Sequence, residues 1–98
     1  MKRLLVSLLT ASALVAHADN FAETDNQNGG KIIIMTDACD SDKNLSRAFF
    51  YTRDGVTEDG CWKYDAETVV ITWEKQGKRR YPIGFFSLMN GYRKFKAF

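Results

Sequence analysis

The chain of 98 residues contains one histidine, one proline and two cysteines. Each scarcity removes a class of function. The histidine, His17, lies in a segment that export is expected to remove. Without it, Ser-His-acid and Cys-His catalysis are closed, and with them most zinc sites. Cys39 and Cys61 do not form a Cys-x-x-Cys pair, so a thioredoxin-like role has no support. No phosphate-binding glycine loop is present. No helix of ordinary length is predicted after residue 18. No cofactor is expected.

What the chain does have begins with Met1-Lys2-Arg3, a short positive segment. Residues 4–15 are apolar apart from Ser7, Thr10 and Ser12, and Ala16-His17-Ala18 supplies a small-x-small site. This pattern predicts a secretory signal peptide over residues 1–18, cleaved after Ala18. A spanning helix needs an apolar run of about 20 residues, and this one is shorter. The expected location is the periplasm or the medium.

Cleavage leaves 80 of the 98 residues, with 12 acidic and 12 basic side chains. The charge is segregated. Residues 19–74 hold all 12 acids and five bases, a net of −7, whereas residues 75–98 hold seven bases and no acid. Such polarity steers association, the basic end towards polyanions and the acidic part towards cations.

A domain this small buries a modest core and is expected to need a staple. Export and an even cysteine count point to an intramolecular Cys39–Cys61 disulfide, the alternatives being a free reactive pair or an intermolecular bond. Closing that loop stabilises by about 3–4 kcal/mol in the chain-entropy model.

Residues 61–73 hold both tryptophans, and β-branched and aromatic residues dominate there, as strands favour. They read as a hairpin. With Tyr64 opposite Val69, residues Trp62, Tyr64, Val69, Ile71 and Trp73 share one face, and Val70 is the apolar exception on the other. A slip of one residue would put the tryptophan face in water, so burial pins this register. The simplest loop is 65–68 around a type I turn. Further strands are expected at 31–36, 47–52 and 78–81. Asp54-Gly55 marks a turn. A loop at 75–77, closed by Gly77, would set Tyr81 opposite Ile71 and Arg79 opposite Trp73, where the guanidinium can stack on the indole. Pro82 suits an edge strand.

The predicted fold is mostly β: a small antiparallel meander of about five strands, a roll or partly open barrel, stapled by one disulfide. Residues 19–30 read as a flexible polar lead-in. Residues 31–98 read as one β domain with a short helical turn within 83–90 and a basic aromatic C-terminal tail.

Three groups of residues invite a chemical reading. Glu58, Asp59, Asp65 and Glu67 offer carboxylate pairs, which cleave glycosidic bonds when held across a cleft. A small meander offers little cleft, so solvated turn residues are the expectation. Asp40-Ser41-Asp42-Lys43-Asn44 matches half a calcium loop, but Leu45 stands where glycine is needed and Tyr51 where the last glutamate belongs, so no metal site is expected. Lys78, Arg79, Arg80, Arg93, Lys94 and Lys96 form a candidate polyanion-binding set among aromatic residues.

The order Gly-Gly-Lys-Ile at 29–32, Thr36-Asp37-x-Cys39, Gly60-Cys61-Trp62-x-Tyr64, Val70-x-Thr72-Trp73 and Tyr81-Pro82 resembles small exported proteins of proteobacteria and their phages. The resemblance spans about residues 29–82, with Gly-Cys-Trp-x-Tyr its most distinctive element. It implies a bacterial periplasm and one disulfide, and it assigns no site.

The functional expectation is therefore a non-enzymatic secreted or periplasmic binding protein, inhibitor-like or envelope-interacting. Its partner would be a protein or envelope component rather than nucleic acid. The alternative is binding of an anionic membrane surface or another polyanion through the C-terminal segment. Oligomeric state is not legible. Intact mass spectrometry of exported protein should give a chain starting at Asp19 and two hydrogens lighter than the dithiol. A mass retaining Met1, or two alkylatable thiols, would contradict this.

Overall fold

The structure, a computed structural model, describes residues 19–95. Residues 1–18, expected to be a signal peptide, lie outside the described residues, as does Lys96. Seven strands run in chain order: β1 (Asn20–Asp25), β2 (Lys31–Ala38), β3 (Ser46–Tyr51), β4 (Thr57–Asp65), β5 (Thr68–Trp73), β6 (Gly77–Pro82) and β7 (Ser87–Leu88). They form one antiparallel sheet in the order β6-β5-β4-β3-β2-β1-β7. The mostly-β, disulfide-stapled meander is as expected, but it has seven strands rather than five.

A short link makes the sheet curl into a half-barrel. The two edge strands are joined only by a 3₁₀ turn, Ile83–Phe85, and Phe86. Five peptide steps from Pro82 to Ser87 reach about 17 Å. A flat sheet of seven strands would hold its edges about 29 Å apart, six spacings of about 4.8 Å. The chain can make the connection only if the sheet bends round, and bending creates a concave face to fill.

Alternation fills it. Ala22, Ile32, Ile34, Ala48, Phe50, Trp62, Val69, Ile71 and Trp73 form the core with Phe21 and Phe86. Tyr64, Tyr81, Leu88, Tyr92 and Phe95 pack against it. Trp62 lies parallel to Phe21 at 5.9 Å between ring centroids and donates its indole N–H to the Met35 carbonyl at 2.8 Å. The polar lead-in expected at 19–30 is instead β1 and its turn. Phe21 and Ala22 are wholly buried, and a register irregularity lies between Asn20 and Ala22. Two apolar residues among polar ones gave no strand period, so β1 was hidden.

The central hairpin has the expected register, with Tyr64 opposite Val69 and Trp62 opposite Ile71. Its turn differs. Asp65 pairs with Thr68, leaving a two-residue loop of Ala66 and Glu67, both with positive φ. This is the backbone of a type I′ turn, whose twist matches the strands better than type I. The β5–β6 register also differs, by two residues: Tyr81 lies opposite Val69, and Arg79 lies opposite Ile71 rather than Trp73. Gly77 pairs with Trp73 and takes the left-handed conformation from within the strand. A shift of two preserves the faces, so Tyr81 still joins the tryptophan side. Val70 is buried on the convex side between Lys63 and Arg80, long side chains whose stems cover apolar neighbours.

Cys39 and Cys61 form the disulfide, with Cα atoms 5.7 Å apart. It ties the loop after β2 to the convex face of β4. The Ser41 hydroxyl donates to Cys61 Sγ at 3.3 Å.

At Gly60 two strands meet tightly. A Cβ there would stand 2.8 Å from Trp73 Cε3 and 2.9 Å from the Thr72 carbonyl. Trp73 thus lies over Gly60 because glycine has no side chain. Gly60→Ala should cost about 1–3 kcal/mol through overpacking, and Trp73→Ala about 3–5 kcal/mol through the cavity it leaves. Gly84→Ala, where nothing lies within 4 Å, should change little. Urea unfolding of the three variants checks this ranking.

Candidate functional site

Of the concavities that border the sheet, two gather chemically distinctive side chains. The first, about 500 Å³, lies on the convex side beside the disulfide. Asp40, Asp42, Asp59 and Glu74 give it a negative rim, with Arg47 among them. Arg47 is engaged by Asp37 at 3.2 Å. No cluster of three or more His, Cys, Asp or Glu suited to a metal occurs among the described residues. Asp42 accepts the Asn44 N–H at 3.0 Å, which turns the loop locally.

The second, about 280 Å³, opens on the concave side between β6 and the β1–β2 turn. Phe50, Trp73, Tyr81 and Phe85 line it, with Arg79 and Asn28 at its border. The floor is rigid. The Trp73 indole N–H donates to the Tyr81 hydroxyl at 3.0 Å, and the Phe50 ring meets Trp73 edge-on at 4.9 Å. The wall is built too: Asn26 accepts the N–H groups of Asn28 and Gly30, each at 2.9 Å, and donates to the Tyr51 carbonyl at 2.7 Å. Gly30 permits that closeness, since a Cβ would fall 1.9 Å from the Tyr51 oxygen. Phe85 remains 62% exposed, the most exposed large apolar side chain in the described residues.

The five candidate basic residues among the described ones do not share one face. Strand alternation puts Lys78 and Arg80 on the convex face of β6 and Arg79 on the concave face. Arg80 pairs with Asp65 at 3.4 Å, both well exposed, a weak interaction. Arg93 and Lys94 are exposed on the terminal segment. That segment is anchored by its aromatics: Tyr92 and Phe95 meet Phe21 edge-on at 4.9 and 5.0 Å. The Tyr92 hydroxyl donates to Asp19 at 3.1 Å. Burial and the Asp19 carboxylate raise the Tyr92 pKa, so the phenol keeps its proton.

Glu58 and Asp59 are consecutive on β4 and point to opposite faces. Glu58 is not the solvated turn residue expected. It is buried and accepts the N–H groups of Lys75 at 2.6 Å and Gln76 at 3.1 Å, and the Gln76 amide at 3.3 Å. Burial alone would raise its pKa, but these hydrogen bonds and the Lys75 charge outweigh it and hold the pKa below the ordinary value. The carboxylate fastens the β5–β6 loop and so positions β6.

Of the groove residues, Trp73 and Tyr81 were assigned to one face from the sequence. Phe50, Phe85 and Asn28 were not linked to them, and no sequence signal joins residues from such distant segments. No family model, curated protein or solved structure matches the chain.

Because the Glu58 pKa is depressed on folding, its contribution is present above the unfolded value and lost as pH falls through the folded one. Glu58→Gln should cost about 1–3 kcal/mol near neutral pH and flatten the loss of stability below about pH 4. Urea midpoints measured across that range check both. An unchanged acid slope would refute the assignment.

Proposed function

We propose that the protein is an exported, non-enzymatic binding protein whose contact surface is the aromatic groove beside β6. The observation that supports this reading is the combination in that groove: a rigid apolar floor, an exposed Phe85 and an accessible Arg79. Apolar floors with a few placed polar groups are the usual composition of binding sites. Exposed apolar side chains next to one concentrate binding energy. The best-buried carboxylate, Glu58, is already occupied by three donors, which speaks for structure rather than acid–base catalysis. A disulfide is consistent with export.

The partner in this reading is a protein or envelope component, held by surface complementarity. Polyanion binding through the C-terminal segment is less well supported, because Tyr92 and Phe95 are committed to the core and the bases are dispersed.

Crosslinking capture from envelope extract separates the two readings. The double variant Arg79→Ala/Phe85→Ala should lose partner capture by at least about tenfold. The triple change of Arg93, Lys94 and Lys96 to glutamine should leave it unaltered. The reverse pattern would transfer function to the basic segment.

A further inference from the structure

β6 is a free edge of six residues, and no strand among the described residues pairs with its outer side. Alternate backbone N–H and C=O groups of an edge strand point away from the sheet and can template another strand. The opposite edge, β7, is only two residues long, a usual way of making an edge harmless. β6 instead carries Lys78, Arg79 and Arg80 in succession. Two copies of β6 set edge to edge would oppose these cations, so the charges disfavour self-association. They favour a strand of the opposite sign.

The faces specify that strand further. An added strand shares the pleat of β6, so its side chains alternate between the two faces. Those on the concave face would lie over the groove, against Tyr81 and Phe85, and near Arg79. Those on the convex face would lie beside Lys78 and Arg80. Lys78 and Arg79 have no ion pair among the described residues, and the Arg80–Asp65 pair is long and exposed. Phe85, so exposed for its size, would be covered by an apolar residue on the concave side.

We infer that the partner presents an extended peptide segment with alternating apolar and acidic residues, which adds to the β6 edge as an eighth strand. Apolar side chains enter the groove, and acidic ones meet Lys78 and Arg80. Main-chain hydrogen bonds supply affinity and the alternate side chains supply selectivity, as in other strand-addition complexes. The inference rests on the groove being the binding surface and adds the chemistry of what it binds.

The test uses oxidised protein and a short capped peptide alternating valine and glutamate, with binding read by tryptophan fluorescence and by exchange protection of β6 amides. The peptide should bind and protect β6. The valine–lysine counterpart and a block peptide of the same composition should bind at least about tenfold more weakly. Methylating the backbone nitrogens of alternate residues should abolish binding in one phase and spare it in the other, because only one set faces β6. Arg79→Ala/Phe85→Ala should weaken binding while the far-ultraviolet spectrum stays unchanged. Equal binding of both methylated peptides, equal binding of polyglutamate, or no detectable binding of the alternating peptide would overturn strand addition. If capture from extract still depends on Arg79 and Phe85 in that event, the groove remains the binding surface and only the strand proposal falls. If neither holds, both fall.

Discussion

The short link between β6 and β7 is the constraint on which the rest of the molecule depends. Because residues 83–86 cannot span a flat sheet, the edges must approach and the sheet must curl. A curled sheet has a concave side too narrow for a second layer of ordinary elements, so side chains must fill it. That is the work of Trp62, Trp73 and Phe21 from the strands, and of Phe86, Tyr92 and Phe95 from the returning chain. The final segment is therefore part of the core rather than an appendage. Its hydrogen bonds to the start of the domain, from Met89 to Phe21 and from Asn90 to Asn20, close the structure on itself.

The two faces are stabilised by different means. Aromatic packing holds the concave side. On the convex side a disulfide pins the acidic loop to β4. With a sequence separation of 22 between the cysteines, the chain-entropy model assigns the closure about 3 kcal/mol, a large fraction of the stability available to so small a domain. Glu58 is a third fastening, electrostatic rather than apolar, and it anchors the loop that leads into β6.

In the proposed binding function these fastenings would act through rigidity. A partner that meets an ordered edge and an ordered aromatic floor does not have to order them on binding, so little conformational entropy opposes association. Several exposed features lie along β6: Phe85 next to it, Arg79 on one face, Lys78 and Arg80 on the other. The segregation of charge along the chain has a structural counterpart there, since three adjacent bases occupy a strand whose outer edge is unpaired.

The sequence by itself determined the class of fold, the cysteine pairing and the composition of the buried face. Burial of Trp62, Ile71 and Trp73 with a period of two leaves one register for the central hairpin, and two cysteines allow a single intramolecular bond. The Ala66–Glu67 turn was misread because neither residue is the glycine or asparagine that signals positive φ. The β6 register was displaced by two because Gly77 serves the turn from inside the strand; the faces survived because the displacement was even. Only the tertiary structure decided that the polar stretch after residue 19 becomes a strand of the sheet, that Phe50 and Phe85 join Trp73, and that Glu58 is buried. The physical reason is that alternation is a local property, written in neighbouring residues, whereas curl and closure depend on which distant edges the chain can bring together.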